Sequence, residues 1–149
     1  MKSFPLKNNS PILKWSLVPD NTFFEGILPE GFDLAVCPSG NIVIIDVDVK
    51  NNKNGYEYIP KNILKELNNK FYYDTKSGGR HYWIEYTGDK ILMNKATKYG
   101  LDLRIGAKPG NAGGYVKYHH TVDIRKCIHL IKFSSNELNL WLEKLFSNI

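Results

Sequence analysis

The chain has 149 residues, 42% of them hydrophobic, which is enough to bury one core and too few for two comfortable ones. Its net charge of +5 is unevenly spread: residues 1 to 50 hold four lysines against six acids, whereas residues 76 to 126 hold ten lysines and arginines against four acids. A basic central and later region suits a phosphate-bearing partner, although it also occurs in proteins that never touch nucleic acid.

The opening "MKSFPLKNNSPILKW" lacks an apolar signal core, and no run reaches the length of a membrane span, so a soluble cytoplasmic protein without membrane contacts is expected. Cys37 and Cys127 form no CxxC pair and are expected as buried or free thiols.

Residues 1 to 33 are short apolar pieces broken by Pro5, Pro11, Pro19 and Pro29, a pattern that predicts an irregular segment wrapping the core. "NIVIIDVDV" follows, where Ile42 to Ile45 run without alternation, as in a central strand buried on both faces. In "YIPKNILKELNNKF", Pro60 suits a first helical turn, Ile63, Leu64 and Leu67 share helical spacing, and Asn68 and Asn69 would end the helix.

Residues 71 to 86, "FYYDTKSGGRHYWIEY", predict an antiparallel hairpin whose bend carries the glycines. A short strand, "GLDLRIG", leads to a glycine-rich loop over 108 to 114 and then "YVKYHH". The last element, "SSNELNLWLEKLF", predicts a helix over 135 to 147, with Ser134 and Glu137 as a capping box and Leu138, Trp141, Leu142 and Leu145 as its core stripe. The expected whole is one α+β domain over 1–149, with a core over about 34 to 133 built on a mixed, largely antiparallel sheet with flanking helices.

Asp46 and Asp48 stand at the end of the apolar strand. Residues i and i+2 of a strand point to one face, roughly 6 to 7 Å apart, so these two carboxylates can converge on a divalent cation. A strand emerging into solvent would leave the same two acids merely hydrated. Asp102, between two leucines in "LDLR", would complete an oxygen-rich, incomplete shell of the kind Mg²⁺ or Mn²⁺ takes, or stand exposed on an edge strand. Arg104 would share its face and pair with it or with a substrate phosphate.

In "TKSGGRHYW", Gly78 and Gly79 would let backbone N–H groups approach an anion, and His81, with Lys76, Ser77 and Arg80 beside it, would grip a phosphate or else serve as a core histidine. His119 and His120 are expected at the surface.

Taken in order, "IIDVD", "TKSGGRHYW" and "GLDLRIGAKPGNAGGYV" resemble the three motifs of the primase-polymerase domain of the archaeo-eukaryotic primase superfamily, in the form often fused to helicases in phages and plasmids. The resemblance spans residues 5 to 148 as an architecture and departs from it at "KYHHTVD", where many members carry a Pro-Pro-Ser segment.

It implies a catalytic core of the RNA-recognition-motif type and two-metal nucleotidyl transfer in DNA replication. Asp46, Asp48 and Asp102 would hold two Mg²⁺ or Mn²⁺ ions, and His81 would act on the triphosphate of a nucleotide bound also by Ser77, Gly78, Gly79, Arg80 and Arg104. Lys50, Lys76, Lys108 and Lys117 become candidate DNA or phosphate contacts. The implied partners are a single-stranded or primed DNA template, nucleoside triphosphates, and a separate helicase or other replication protein. Two alternatives remain open: a noncatalytic nucleotide- and DNA-binding module that needs a partner, and a metal-dependent nuclease or phosphoesterase using the same acids.

Overall fold

The computed structural model describes residues 1–109 and 111–147; Gly110, in the loop expected over 108 to 114, and the last two residues lie outside that description. In chain order the elements are β1 (Lys2–Lys7), β2 (Ser10–Pro11), β3 (Phe32–Cys37), β4 (Ile42–Val47), α1 (Lys61–Leu67), β5 (Phe71–Asp74), β6 (Arg80–Glu85), β7 (Leu101–Ile105), β8 (Val116–Lys117), β9 (Lys132–Phe133) and α2 (Asn136–Phe146). They form two sheets, ordered β2-β1-β3-β8 and β5-β6-β4-β7, with β9 added beside β6. Every pairing is antiparallel except β6 with β9. The class is therefore α+β.

The unbroken apolar run places β4 in the middle of its sheet, between β6 and β7, with Ile44, Ile45 and Val47 fully buried. Its two faces serve different cores. Val43, Ile45 and Val47 pack with Tyr82, Ile84, Leu101, Leu103 and Ile105 under α1 and α2, through Ile63, Leu67, Leu138, Leu142 and Phe146. Ile44 faces the other way and packs with Tyr73 and Trp83 against Val36 and Val116 of the other sheet. Each of these buried isoleucines contributes about 1.5 to 3 kcal/mol, enough to hold the strand in place although carboxylates follow at its end.

The N-terminal segment is more regular than its prolines suggest. Residues 2–7 form β1, which pairs along its whole length with β3 and lies buried as far as Leu6. Asn8 and Asn9, at φ 52° and 66°, make the tight two-residue turn into β2. Because β2 pairs only with Leu6 and Lys7, Pro5 sits where the outer side of β1 has no neighbouring strand, a position at which a missing N–H is tolerated.

Three helix expectations shift by small steps. Pro60 is the residue before α1 rather than its first, and Asn68 closes the helix as expected. The N-cap of α2 is Ser135, whose hydroxyl accepts from the Leu138 N–H, and not Ser134. The Ser134 hydroxyl instead accepts from Thr87 N–H and joins Asn139 in a buried polar contact. Helical rotation set by that cap buries Leu138, Asn139, Leu142 and Phe146 and leaves Leu145 exposed. Cys37 and Cys127 are free and buried. Among the described residues no helix is long and apolar enough to cross a membrane.

Candidate functional site

The register of three strands assembles the site. Asp46 of β4 lies opposite His81 of β6 on one side and Asp102 of β7 on the other, and Tyr73 of β5 lies opposite His81. The row Tyr73–His81–Asp46–Asp102 thus crosses the whole sheet on the face carrying Ile44 and Trp83. Asp48 adds a third carboxylate one residue beyond β4. Its N–H donates to Gly100 O at 2.8 Å and its carbonyl accepts from Gly55 N–H at 2.9 Å, so the chain stays extended there. One oxygen each from Asp46, Asp48 and Asp102 lies within 4.8 Å of the others.

Carboxylates held this closely repel one another when charged. Burial, followed by the charge of Asp46, pushes the Asp48 carboxyl above its ordinary value. Asp102 is pushed up as well, chiefly by burial, with opposition from a 2.7 Å hydrogen bond donated by Thr97 N–H and from Arg104 at 3.3 Å. Asp46 Oδ1 lies 3.3 Å from His81 Nε2, an ion-pair distance without hydrogen-bond alignment, and that buried oxygen has no aligned donor among the described residues. A buried carboxylate oxygen left so is costly, and a cation would satisfy it. Three acidic oxygens with room for water and phosphate are the hard, incomplete shell that suits Mg²⁺ or Mn²⁺, so the residues present fit the expected ions.

His81 is buried and held from behind. Trp83 Nε1 donates to the Tyr73 hydroxyl at 3.1 Å, and that hydroxyl lies 3.0 Å from His81 Nδ1. A hydroxyl that already accepts from the indole is free to donate its own proton to Nδ1. This order favours the His81 tautomer with its proton on Nε2, facing Asp46 and the cleft. Burial pushes the Tyr73 hydroxyl far above its ordinary value, so it stays a donor.

Above the acids opens a cleft of about 400 Å³, lined also by Lys50, Lys76, Ser77, Arg104, Lys117 and His119. Four cations, Lys50, Lys76, Arg104 and Lys117, stand against three carboxylates in this lining. Acids at the floor and cations at the walls are what a phosphate chain carrying a divalent ion would meet.

Several expected contacts lie elsewhere. Arg80 precedes His81 on β6 and so projects to the opposite face, where it pairs with Asp74 at 2.7 Å, donates to Asn68 and stacks over Tyr72. Gly78 borders that same opposite face and takes φ +88°, while Gly79 presses against β4: a Cβ there would fall 1.9 Å from Val47 O. These two glycines shape the bend between β5 and β6; neither borders the cleft. Lys108 donates to Gly40 O at 2.8 Å and lies with Pro109 beside a separate groove. Lys50, Lys76, Ser77, Arg104 and Lys117 do border the cleft.

His119 corrects the expectation in the other direction, since it is half-buried at the cleft wall, 3.9 Å from Asp33. Burial, then Lys76, lowers its affinity for a proton. His120 is half-buried too and stacks on Tyr73 at 5.1 Å. The signal for His119 was present as alternation after Val116: Lys117 and His119 border the cleft, while Tyr118 and His120 pack on Tyr73. Comparison of the chain with protein-family models and with curated proteins returned no match.

Proposed function

We propose that the chain is a nucleotidyltransferase of the primase-polymerase type, which builds or extends a strand on a single-stranded DNA template in replication. The observation that carries this reading is the convergence of Asp46, Asp48 and Asp102 at the floor of a cleft walled by Lys50, Lys76, Arg104 and Lys117. A binding module for phosphate alone has no need of three carboxylates that repel its ligand. Their placement makes sense when a divalent cation mediates.

In this reading the three aspartates hold two Mg²⁺ or Mn²⁺ ions, which when bound lower the cost of deprotonating a 3′-hydroxyl and neutralise the departing pyrophosphate. The reaction breaks the 3′-O–H bond, with its proton passing to solvent, joins the 3′-oxygen to the α-phosphorus of a nucleoside triphosphate and breaks the bond from that phosphorus to the pyrophosphate oxygen. Lys76, Ser77 and Arg104 bind and orient the triphosphate from the walls. His81 offers its Nε2 proton to a phosphate oxygen, with its ring fixed by Tyr73.

The strand order gives independent support. The succession β4-α1-β5-β6-β7 with β4 between β6 and β7 agrees with an RNA-recognition-motif core, except that residues 86 to 100 contain no helix.

Incubation of the chain with a primed single-stranded template, nucleoside triphosphates and Mn²⁺ tests the proposal on a gel. Lengthened primers that disappear with Asp46→Ala or Asp48→Ala are expected. Shortened strands would make the protein a nuclease, and unchanged strands, with oligonucleotide and nucleotide both bound and replication partners added, would make it a binding module.

A further inference from the structure

Beside the cleft, on loops that leave Asp48 and lead into Asp102, two tyrosine rings face each other in the open. Tyr58 and Tyr99 have centroids 4.7 Å apart with planes 31° from parallel, and the residues remain 49% and 43% exposed. Exposed tyrosines paired in this way do not stabilise the core.

They are nevertheless held firmly. Gly55 opens the turn of helix ending at Tyr58, and its N–H is bonded to Asp48 O; Gly100, next to Tyr99, accepts from Asp48 N–H. Gly55 and Gly100 touch so closely that a Cβ on Gly55 would lie 2.1 Å from Gly100 O. Asp48 therefore fastens both loops, and both rings, to the carboxylate cluster.

The charges around the rings are mainly positive. Lys98 Nζ lies 5.7 Å from the Tyr99 ring centre, and Lys53 shares with both tyrosines a groove of about 290 Å³ that also holds Glu57. Asn51 and Asn52, at φ 55° and 63°, turn the chain tightly between Lys50 and Lys53, with Lys53 N–H donating to Lys50 O. Lys50 borders the cleft and Lys53 the tyrosine groove, so one tight turn carries a cation to each of the two hollows.

Half-exposed aromatic rings beside lysines, one tight turn away from a cleft walled by cations, match the chemistry of a single nucleic-acid strand, whose bases stack while its phosphates meet cations. A duplex offers no free base faces to such rings. We infer that Tyr58 and Tyr99, with Lys53 and Lys98, form a stacking platform for the single strand that enters or leaves the cleft. The platform rests on the functional reading for the direction in which the strand runs, but its binding needs no catalysis.

Fluorescence anisotropy with a labelled oligothymidylate, in chelator and without nucleotides, isolates the platform from the carboxylates. Tyr58→Ala and Tyr99→Ala should each weaken binding about five- to hundredfold, the range that loss of one stacked base implies. Tyr58→Phe and Tyr99→Phe should retain binding, because the ring and not the hydroxyl does the stacking. Replacing Lys53 and Lys98 by Gln should lessen the dependence of log affinity on log salt by about 0.7 per lost contact.

Unaltered affinity in both alanine variants, equal losses in the phenylalanine variants, or equal binding of duplex and single strand would overturn the platform. Should it fall while primers still lengthen in an Asp46-dependent way, the functional reading survives without it. If oligonucleotide binding needs the tyrosines but nothing is incorporated, the platform stands and the functional reading fails.

Discussion

Replacing Asp48 with Asn removes one negative charge from a set whose oxygens lie within 4.8 Å of one another, while keeping the side chain's size. Two unit charges at 4.8 Å repel by about 3.5 kcal/mol at an effective dielectric of about 20. Asp48 is repelled by Asp46 and Asp102, is partly desolvated, and is relieved by Lys50 and His81. After that offset, the ion-free protein should gain about 1 to 3 kcal/mol from Asp48→Asn, a rise in Tm of roughly 2 to 12 °C.

The sign with pH follows from the direction of the shifts. Asp48 and Asp102 bind protons more tightly folded than unfolded, so their contribution favours folding below the ordinary carboxylate value. That contribution is lost as pH rises through their raised values, so the advantage of Asp48→Asn should vanish in acid.

Mg²⁺ or Mn²⁺ should narrow, cancel or reverse that advantage, because an ion at a hundred times its Kd adds about 2.7 kcal/mol to the form that binds it, against the gain of about 1 to 3 kcal/mol from Asp48→Asn. Urea denaturation followed by tryptophan fluorescence, in chelator and in Mn²⁺, measures all of these differences. An Asp48→Asn protein less stable than the unaltered chain in chelator, or an equal response of both proteins to Mn²⁺, would refute this account of the cluster.

Three further outcomes follow from the same geometry. Tyr73→Phe leaves Trp83 Nε1 and His81 Nδ1 without their shared partner and should cost about 1 to 3 kcal/mol; ¹⁵N NMR of the imidazole should report loss of the single Nε2–H tautomer. Gly79→Ala drives a Cβ into Val47 O and should destabilise by at least about 3 kcal/mol in thermal or urea denaturation, since backbone must move to admit it. Arg80→Ala should lower stability but leave the affinity for a fluorescent nucleoside triphosphate unchanged, whereas Lys76→Ala should weaken that affinity about tenfold.

The parts of this molecule that could be read from sequence are those fixed by local periodicity. The unbroken run Ile42 to Ile45 marks a central strand, the i,i+2 spacing puts Asp46 and Asp48 together, and the glycine bend between aromatic runs marks a hairpin. What escaped depends on register or on a partner distant in sequence. Arg80 and His81 are adjacent, so one of them must leave the cleft face, but which one depends on where β6 begins. β1 is stabilised by pairing with β3, about thirty residues away, and Pro5 within it hides it from the sequence pattern. The two loops that Asp48 ties together are far apart in sequence, and only the fold brings Tyr58 to Tyr99.

Under the function proposed above, the clustered Asp46, Asp48 and Asp102 would serve template-directed addition of nucleotides. Single-nucleotide incorporation opposite a defined template base, with Mn²⁺ and each of the four deoxyribonucleoside and ribonucleoside triphosphates in turn, tests it most directly. Addition of the complementary nucleotide in preference to the others, abolished by Asp46→Ala, is the predicted result. Incorporation that ignores the template base, or that persists in Asp46→Ala, would contradict it.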